Sequence, residues 1–407
     1  MKILLLNDRF DPTGGSQLMT RALRDGLRGR GHTVRTMAST AGADSAGEGS
    51  DVACFGSLGA VQTLTRTVNP SAVMALRREL KAFDPDVVHV RAFLTQLSPA
   101  ILPLLADRPA LMHAVMYDAV CPTGKKLWPD GRVCRQRAGW VCKEHCLSWP
   151  AFGVLMGQRR LYRRWRDAFD LVVTNSRATA EKLEAEGIGP CRVVWNAVDP
   201  APRRPPLGEV PRASLVARLS REKGVDVALR AMARVREAVP DAQLQVIGDG
   251  PLRGELEALT TQLELQDAVT FTGRLPRERA QAEAGSAWVQ LVPSVWDEPF
   301  GLVAAEAMMR GTAVIASGSG GLAEIVEPGR TGYLHSPGDD AALAEHLRRV
   351  LTDRRHAETL GAGARQRALH HFAMDRCLDE FEDIYADLLA RPGARRPQTP
   401  APTGAAP

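Results

Sequence analysis

Apolar positions along the chain fall into short runs that alternate with longer helical periods. The first run, KILLLN at residues 2–7, is short and unbroken, which predicts a strand buried on both faces. DRFDPTGGSQ then leads into LMTRALRDGLRGRG, a helical pattern stopped at Gly31. HTVRTMAS predicts a second strand, and the small polar stretch GADSAGEGS a surface loop. VMALRRELKAFDPDVVHVR gives a helix, a turn at Asp84–Pro85 and a strand. PALMHAV and DLVVTNS are further strands, RATAEKLEAEG is a helix, and CRVVWNAVD closes the series. Alternation of this kind builds an open parallel sheet covered on both faces.

DPAPRRPPLGEVPR has no apolar period and reads as a linker. The pattern then restarts. ASLVARL, AQLQVIGDG, VTFTGRL, WVQLVPS and AVIAS are strands, and VDVALRAMARVREAV is a helix. Two similar α/β domains are expected, residues 1–200 and 211–370, with ligands bound in the crevice between them. Residues 371–390 carry helical periodicity through Phe372, Cys377, Phe381, Ile384, Tyr385 and Leu388. The Pro-rich segment 391–407 predicts a disordered tail.

The length of 407 residues suits two domains, and 44% hydrophobic with 24% charged residues is ordinary for a globular chain. No window of eighteen apolar residues is present, and MKILLLNDRF turns polar too early for a signal peptide, so a cytoplasmic protein is expected. Lys and Arg total 52 against 47 Asp and Glu, a net charge of +5. That mild excess, without a recognisable module, argues against nucleic-acid binding. One basic concentration stands out: Arg159, Arg160, Arg163, Arg164 and Arg166, with Tyr162 and Trp165 among them. It reads either as a solvated helix face or as a contact for a membrane surface or an anionic acceptor. Among seven cysteines, Cys121, Cys134, Cys142 and Cys146 share one segment. Zinc or an iron–sulfur cluster, a disulfide, and unpaired thiols all remain open there, and the segment has no C-x2-C pair.

Three places carry candidate chemistry. Gly14 and Gly15 stand between a strand and a helix, where glycine admits a ligand to the free amides of a helix N-terminus. Arg218 ends a strand and Lys223 follows five residues on, two cations suited to a diphosphate. In WDEPFGLVAAEAMMRG, Pro299 and Gly301 make a loop that holds Glu298, and Glu306 falls about one turn into the next helix. The two acids are therefore expected to grip different parts of one extended ligand. Amides around Phe300, Gly301 and Leu302 open that helix toward oxygens. SGSGGLAEIV puts Gly320 and Gly321 before another helix start.

The N-terminal PTGG, then VARLSREKG, VIGDG, VTFTGRL, EPFGLVAAE and GLAEIVEPGRTGYLHSPGD, in that order, resemble the retaining glycosyltransferases of family 4. The resemblance spans Met1 to about Leu389 and implies the GT-B fold, two Rossmann-like domains facing each other across a cleft. It implies sugar transfer from a nucleotide-diphosphate sugar to a hydroxyl acceptor, without a required metal. Arg218 and Lys223 would bind the donor diphosphate, Glu298 the hydroxyls of the transferred sugar, and Glu306 the ribose. Amides from Phe300 through Gly301 and Leu302 to Val303 would orient sugar and phosphate, and Gly14 and Gly15 would flank the β-phosphate. The family often places a His-Asp pair about six residues before a Cys-Pro. Here His113 precedes Cys121 by eight and is followed by Ala114. Either a longer loop keeps His113 as the catalytic-region histidine, or it is a core residue. An epimerase or phosphorylase of the same fold, and a non-catalytic carbohydrate-binding or scaffold protein, are the competing readings.

Overall fold

The computed structural model describes residues 1–11, 14–42 and 49–391. The tail expected to be disordered and most of the GADSAGEGS loop lie outside the described residues, apart from their margins. Seven parallel strands form the first sheet: β1 (Lys2–Leu6), β2 (Thr33–Ser39), β3 (Val52–Cys54), β4 (Val87–Val90), β5 (Ala110–Ala114), β6 (Leu171–Thr174) and β7 (Cys191–Val193). Their order is β3-β2-β1-β4-β5-β6-β7. The second sheet holds β8 (Arg212–Val216), β9 (Gln243–Ile247), β10 (Val269–Gly273), β11 (Val289–Val292), β12 (Ala313–Ser317) and β13 (Gly332–His335), in the order β10-β9-β8-β11-β12-β13. Both sheets reverse their winding where the first strand of the domain meets the fourth, β1 beside β4 and β8 beside β11. Crevices for ligands open at the carboxyl ends of strands at such points. β3 and β13 are too short and mixed to stand out as apolar runs, and the sequence pattern missed both.

Side-chain alternation along each strand separates two packed faces. In β4, Val88 and Val90 join a cluster with Leu76, Leu102 and Tyr162. Val87 joins the opposite one, with Ile3, Leu5, Leu23 and Leu111. That second cluster is completed by the last helix, Met374–Ala390, through Cys377, Leu378, Phe381, Ile384, Tyr385 and Leu388. A chain that has finished the second domain thus returns to cover the first sheet. Each large side chain buried there contributes about 1.5–3 kcal/mol.

The polypeptide crosses between domains at two adjacent places, where Val198 bridges Ala373 and the Val198 amide donates to the Phe372 carbonyl at 2.9 Å. The Pro- and Arg-rich segment after it is pinned. Arg204 is buried and donates to the Gly311 carbonyl at 2.9 Å and to Glu358 at 2.8 Å, and Leu207 enters the second core. No apolar period could reveal this, because the anchor is a paired cation.

Candidate active site

Both winding reversals face one cleft of about 400 Å³. Its second-domain wall is built from Val216, Ala217 and Arg218 after β8, Val292 to Ser294 after β11, and the loop and helix start from Trp296 to Val303. Its first-domain wall contains Ser16, Arg91, Val115, Met116, Lys125, Asn175 and Asn196. The volume suits a ligand of nucleotide-sugar size.

Glu298 is 7% exposed, and its Oε1 accepts from Lys223 Nζ at 2.5 Å and from Ser294 Oγ at 2.8 Å. Burial pushes the Glu298 pKa up, but the Lys223 ammonium and the hydrogen bonds outweigh it and hold the carboxyl below its ordinary range. The helix Leu302–Arg310 starts in the cleft, and Gly301, at φ 107°, makes the turn into it. Two further glycines bring backbone against backbone. A Cβ on Gly224 would lie 2.1 Å from the Pro293 carbonyl oxygen, so this glycine lets the Lys223 turn press against the end of β11. A Cβ on Gly320 would lie 2.3 Å from the Glu298 carbonyl oxygen. The Gly320–Gly321 pair therefore seats the Glu298 loop. It precedes the helix start expected from the sequence, here a four-residue helix, Leu322–Ile325.

Arg218 is exposed on the cleft wall, and its guanidinium has no hydrogen bond or ion pair among the described residues. Phe300, Gly301, Leu302 and Val303 line the cleft as expected. Glu306 does not. It lines a narrow adjoining pocket with Gly15 and Leu302, and Arg277 Nη2 donates to its Oε1 at 2.6 Å. Arg277 also reaches Asp199 at 3.1 Å. Gly14 precedes the Gly15–Gly29 helix without lining either space, and Ser16 takes the place on the main cleft. Pro12 and Thr13 of the PTGG loop lie outside the described residues.

His113 is the clearest correction. It is 1% exposed, and its Nδ1 pairs with His89 Nε2 at 3.1 Å; His89 Nδ1 in turn pairs with the Tyr385 hydroxyl at 2.7 Å. The ring of Phe381 lies 5.1 Å away, centroid to centroid. Strand alternation turns His113 toward the Met374–Ala390 helix. The position six residues before Cys121 is Val115, which lines the cleft beside Met116. Burial, with Arg91 adding repulsion, holds both imidazoles well below their ordinary pKa, hence neutral.

In the cysteine segment the structure selects the unpaired thiols among the alternatives left open. All four thiols are free, and among the described residues no group of three or more His, Cys, Asp or Glu side chains is placed to hold a metal ion. Cys121 Sγ lies 3.2 Å from the Thr123 hydroxyl and accepts from the Lys126 amide. Burial raises Cys142 and pushes Cys146 up to about 11, which keeps them as thiols. The basic stretch splits too. Arg159 is buried and donates to the Ala119 carbonyl at 3.0 Å, Tyr162 is buried, and Arg160, Arg163 and Arg164 face outward.

Several cleft residues carried no sequence signal. Asn196 and Ser294 lie inside strand-end runs, Lys125 belongs to the cysteine segment, and Arg91 ends the DVVHVR strand. Asn175, just after β6, donates to the Val115 carbonyl at 3.2 Å.

The domains are also latched. Glu324 of the second domain accepts from the Arg177 and Ala178 amides at 3.1 and 2.9 Å, the start of the first-domain helix Arg177–Glu184. Tyr117 donates to the Asp297 carbonyl at 3.0 Å, and Lys182 pairs with Asp297 at 2.8 Å. The Glu298 loop is held from both sides.

Comparison with known proteins agrees with this architecture. The family model for Glycosyltransferase Family 4 matches residues 13–202, and that for glycosyl transferases group 1 matches 206–367. A glycogen synthase of Mycobacterium tuberculosis is 30% identical over 331 residues, covering 79% of this chain and 73% of that protein. The chain belongs to the family 4 glycosyltransferases. This glycosyltransferase is also 31% identical to a mannosyltransferase of Mycolicibacterium hassiacum, over 65% of its length and 64% of the relative's. The solved sucrose-phosphate synthase of Thermosynechococcus elongatus superposes with a TM-score of 0.73 at 25% identity, covering 96% of this chain and 99% of that one. HepE of Anabaena, solved with UDP-glucose, superposes at 0.68 with 20% identity, over 95% and 100% of the two chains. The fold is GT-B and the protein is an enzyme of glycosyl transfer from nucleotide sugars.

Proposed function

We propose that this glycosyltransferase seats its donor against the second-domain wall, with the diphosphate on Arg218 and Lys223 and the transferred sugar on Glu298. The ion pair between Lys223 and Glu298, one group suited to phosphate and the other to hydroxyls, carries the reading. Glu306, with its Arg277 partner, would take the ribose in the adjoining pocket, and the amides opening the Leu302–Arg310 helix would orient phosphate and sugar. Complexes of HepE with UDP and UDP-glucose support a uridine donor.

Transfer would retain configuration. The acceptor oxygen bonds to the anomeric carbon from the face that the diphosphate leaves, the bond from that carbon to the phosphate oxygen breaks, and the acceptor proton passes to the departing diphosphate. Arg218 and Lys223 offset the charge that develops there. Preorganised donors of this kind are each worth about 3–4 kcal/mol. The acceptor hydroxyl, on a glycan, a lipid-linked glycan or a small metabolite, would approach past Val115, Met116 and Asn175.

One surface observation supports contact with an anionic membrane. Leu58, Val61 and Leu64 are exposed on and beside the short helix Ala60–Thr65, which packs against the helix Trp149–Trp165. That second helix shows Trp149, Arg160 and Arg164 on one outward face. Apolar anchors beside cations suit a lipid surface.

A thermal-shift screen of UDP, GDP and ADP tests the donor assignment. At least one is expected to raise the melting midpoint of the wild type, and to raise it less in Arg218→Ala. If none shifts the wild type, the donor site is misplaced.

A further inference from the structure

Arg91 follows β4 directly, at the winding reversal of the first sheet, where its amide donates to the Leu6 carbonyl at 2.9 Å. Its side chain is 97% buried (3% exposed), yet it lines the cleft. All three guanidinium nitrogens lack a hydrogen-bond partner among the described residues. The groups that act on it are the Cys377 thiol and the Tyr385 hydroxyl, with no carboxylate among them. Burial pushes its pKa down only to about 10, so it remains charged at neutral pH. Its neighbour His89, neutral and already bonded to Tyr385 and His113, supplies no counter-charge.

A buried, unpaired guanidinium costs several kcal/mol and is unusual in a folded protein. Asp8, the carboxylate after β1, is occupied by the Thr95, Gln96 and Leu97 amides at 2.8–2.9 Å, which fixes the loop that follows Arg91. The guanidinium is thus held in place without being satisfied. The two lysines that line the cleft are matched, Lys223 by Glu298 and Lys125 by Glu222 at 2.7 Å.

We propose that Arg91 is an anion-binding residue of the cleft, taking a phosphate or carboxylate group that the reacting partners bring in. An oxyanion offers two oxygens in the spacing of the guanidinium fork. Two sources share that chemistry: an anionic group on the acceptor, and the donor diphosphate. The wall on which Arg91 stands, opposite Arg218 and Lys223, favours the acceptor. The inference rests on the donor placement given above for that distinction alone.

The experiment compares wild type, Arg91→Met and Arg91→Lys by thermal melting and calorimetric titration. The ligands are inorganic phosphate and UDP, GDP or ADP, at constant ionic strength. Unliganded Arg91→Met is expected to melt above the wild type, since an uncompensated buried charge is removed at similar volume. Phosphate is expected to stabilise nucleotide-saturated wild type and Arg91→Lys, and to lose that effect in Arg91→Met; this result assigns the anion to the acceptor. A nucleotide affinity about 10- to 100-fold weaker in Arg91→Met, with no phosphate effect on saturated wild type, assigns it to the donor. Arg91→Met that responds to both ligands as the wild type does overturns the proposal. So does a melting midpoint lower than that of the wild type, which would show the guanidinium satisfied inside the fold. If the wild type binds no nucleotide, the donor placement fails, while phosphate added to the nucleotide-free protein still reports on Arg91.

Discussion

On the second-domain side of the cleft, each acid of the site has a cation in hydrogen-bond reach: Lys223 on Glu298 at 2.5 Å and Arg277 on Glu306 at 2.6 Å. On the first-domain side, Arg91 has none, and Val115 and Met116 make the wall around it apolar. The Lys223–Glu298 pair can exchange partners when a ligand arrives. A diphosphate can share Lys223, and Glu298 is then free for hydroxyls at little electrostatic cost. Arg91 is uncompensated until something anionic enters. Both halves come from the same topological device, a winding reversal, so the difference lies in the side chains that each places at its strand ends.

Removing a donor-side cation is the strongest way to break this contrast. Lys223→Ala is expected to lower kcat/KM by about 10²- to 10³-fold, measured as release of nucleoside diphosphate from the donor sugar. A loss of only a few-fold would move the leaving group elsewhere. Glu306→Ala comes next, with nucleotide affinity expected to weaken about tenfold in calorimetry, near 1.4 kcal/mol. Unchanged affinity would remove the ribose from the adjoining pocket.

His113 sharpens the contrast from the other side. His113→Phe is expected to change kcat less than several-fold at pH 7.5, because the ring lies beneath the Met374–Ala390 helix, out of the cleft. Its signature is in stability. The folded-state pKa values of His89 and His113 are depressed, so the unfolded chain binds more protons at acid pH. Their neutral burial is fully tolerated above about pH 6.5, and stability falls as pH drops from there toward the depressed values. The melting midpoint of His113→Phe is therefore expected to fall less steeply between pH 6.5 and 5 than that of the wild type. Glu298 acts lower. Its depressed pKa gives stability that is present above the ordinary carboxylate range and is lost as pH falls through the folded value.

Much of the second-domain wall was legible in the sequence. Pro299 and Gly301 break regular structure at fixed places, so Glu298 had to sit in a loop and Glu306 in a helix. Local chemistry could not reveal partners. Arg277 approaches Glu306 from a helix 29 residues away in sequence. The cleft's first-domain half was harder to read for a geometric reason. DVVHVR reads as a strand with a basic end, and only the pairing of β4 with β1 brings Arg91 to the winding reversal. The spacing of His113 from Cys121 left a catalytic-region and a core reading open, because strand register alone decides which face an imidazole takes. The cysteines were close in sequence, but hydrogen bonding and burial left them as separate thiols.

The donor placement has one direct test: the affinity of the stabilising nucleoside diphosphate for wild type, Arg218→Ala and His113→Phe, by calorimetry at neutral pH. Arg218→Ala is expected to bind at least about tenfold more weakly, and His113→Phe to match the wild type. Equal affinity in Arg218→Ala, or a loss confined to His113→Phe, would contradict a donor site built on the second-domain wall.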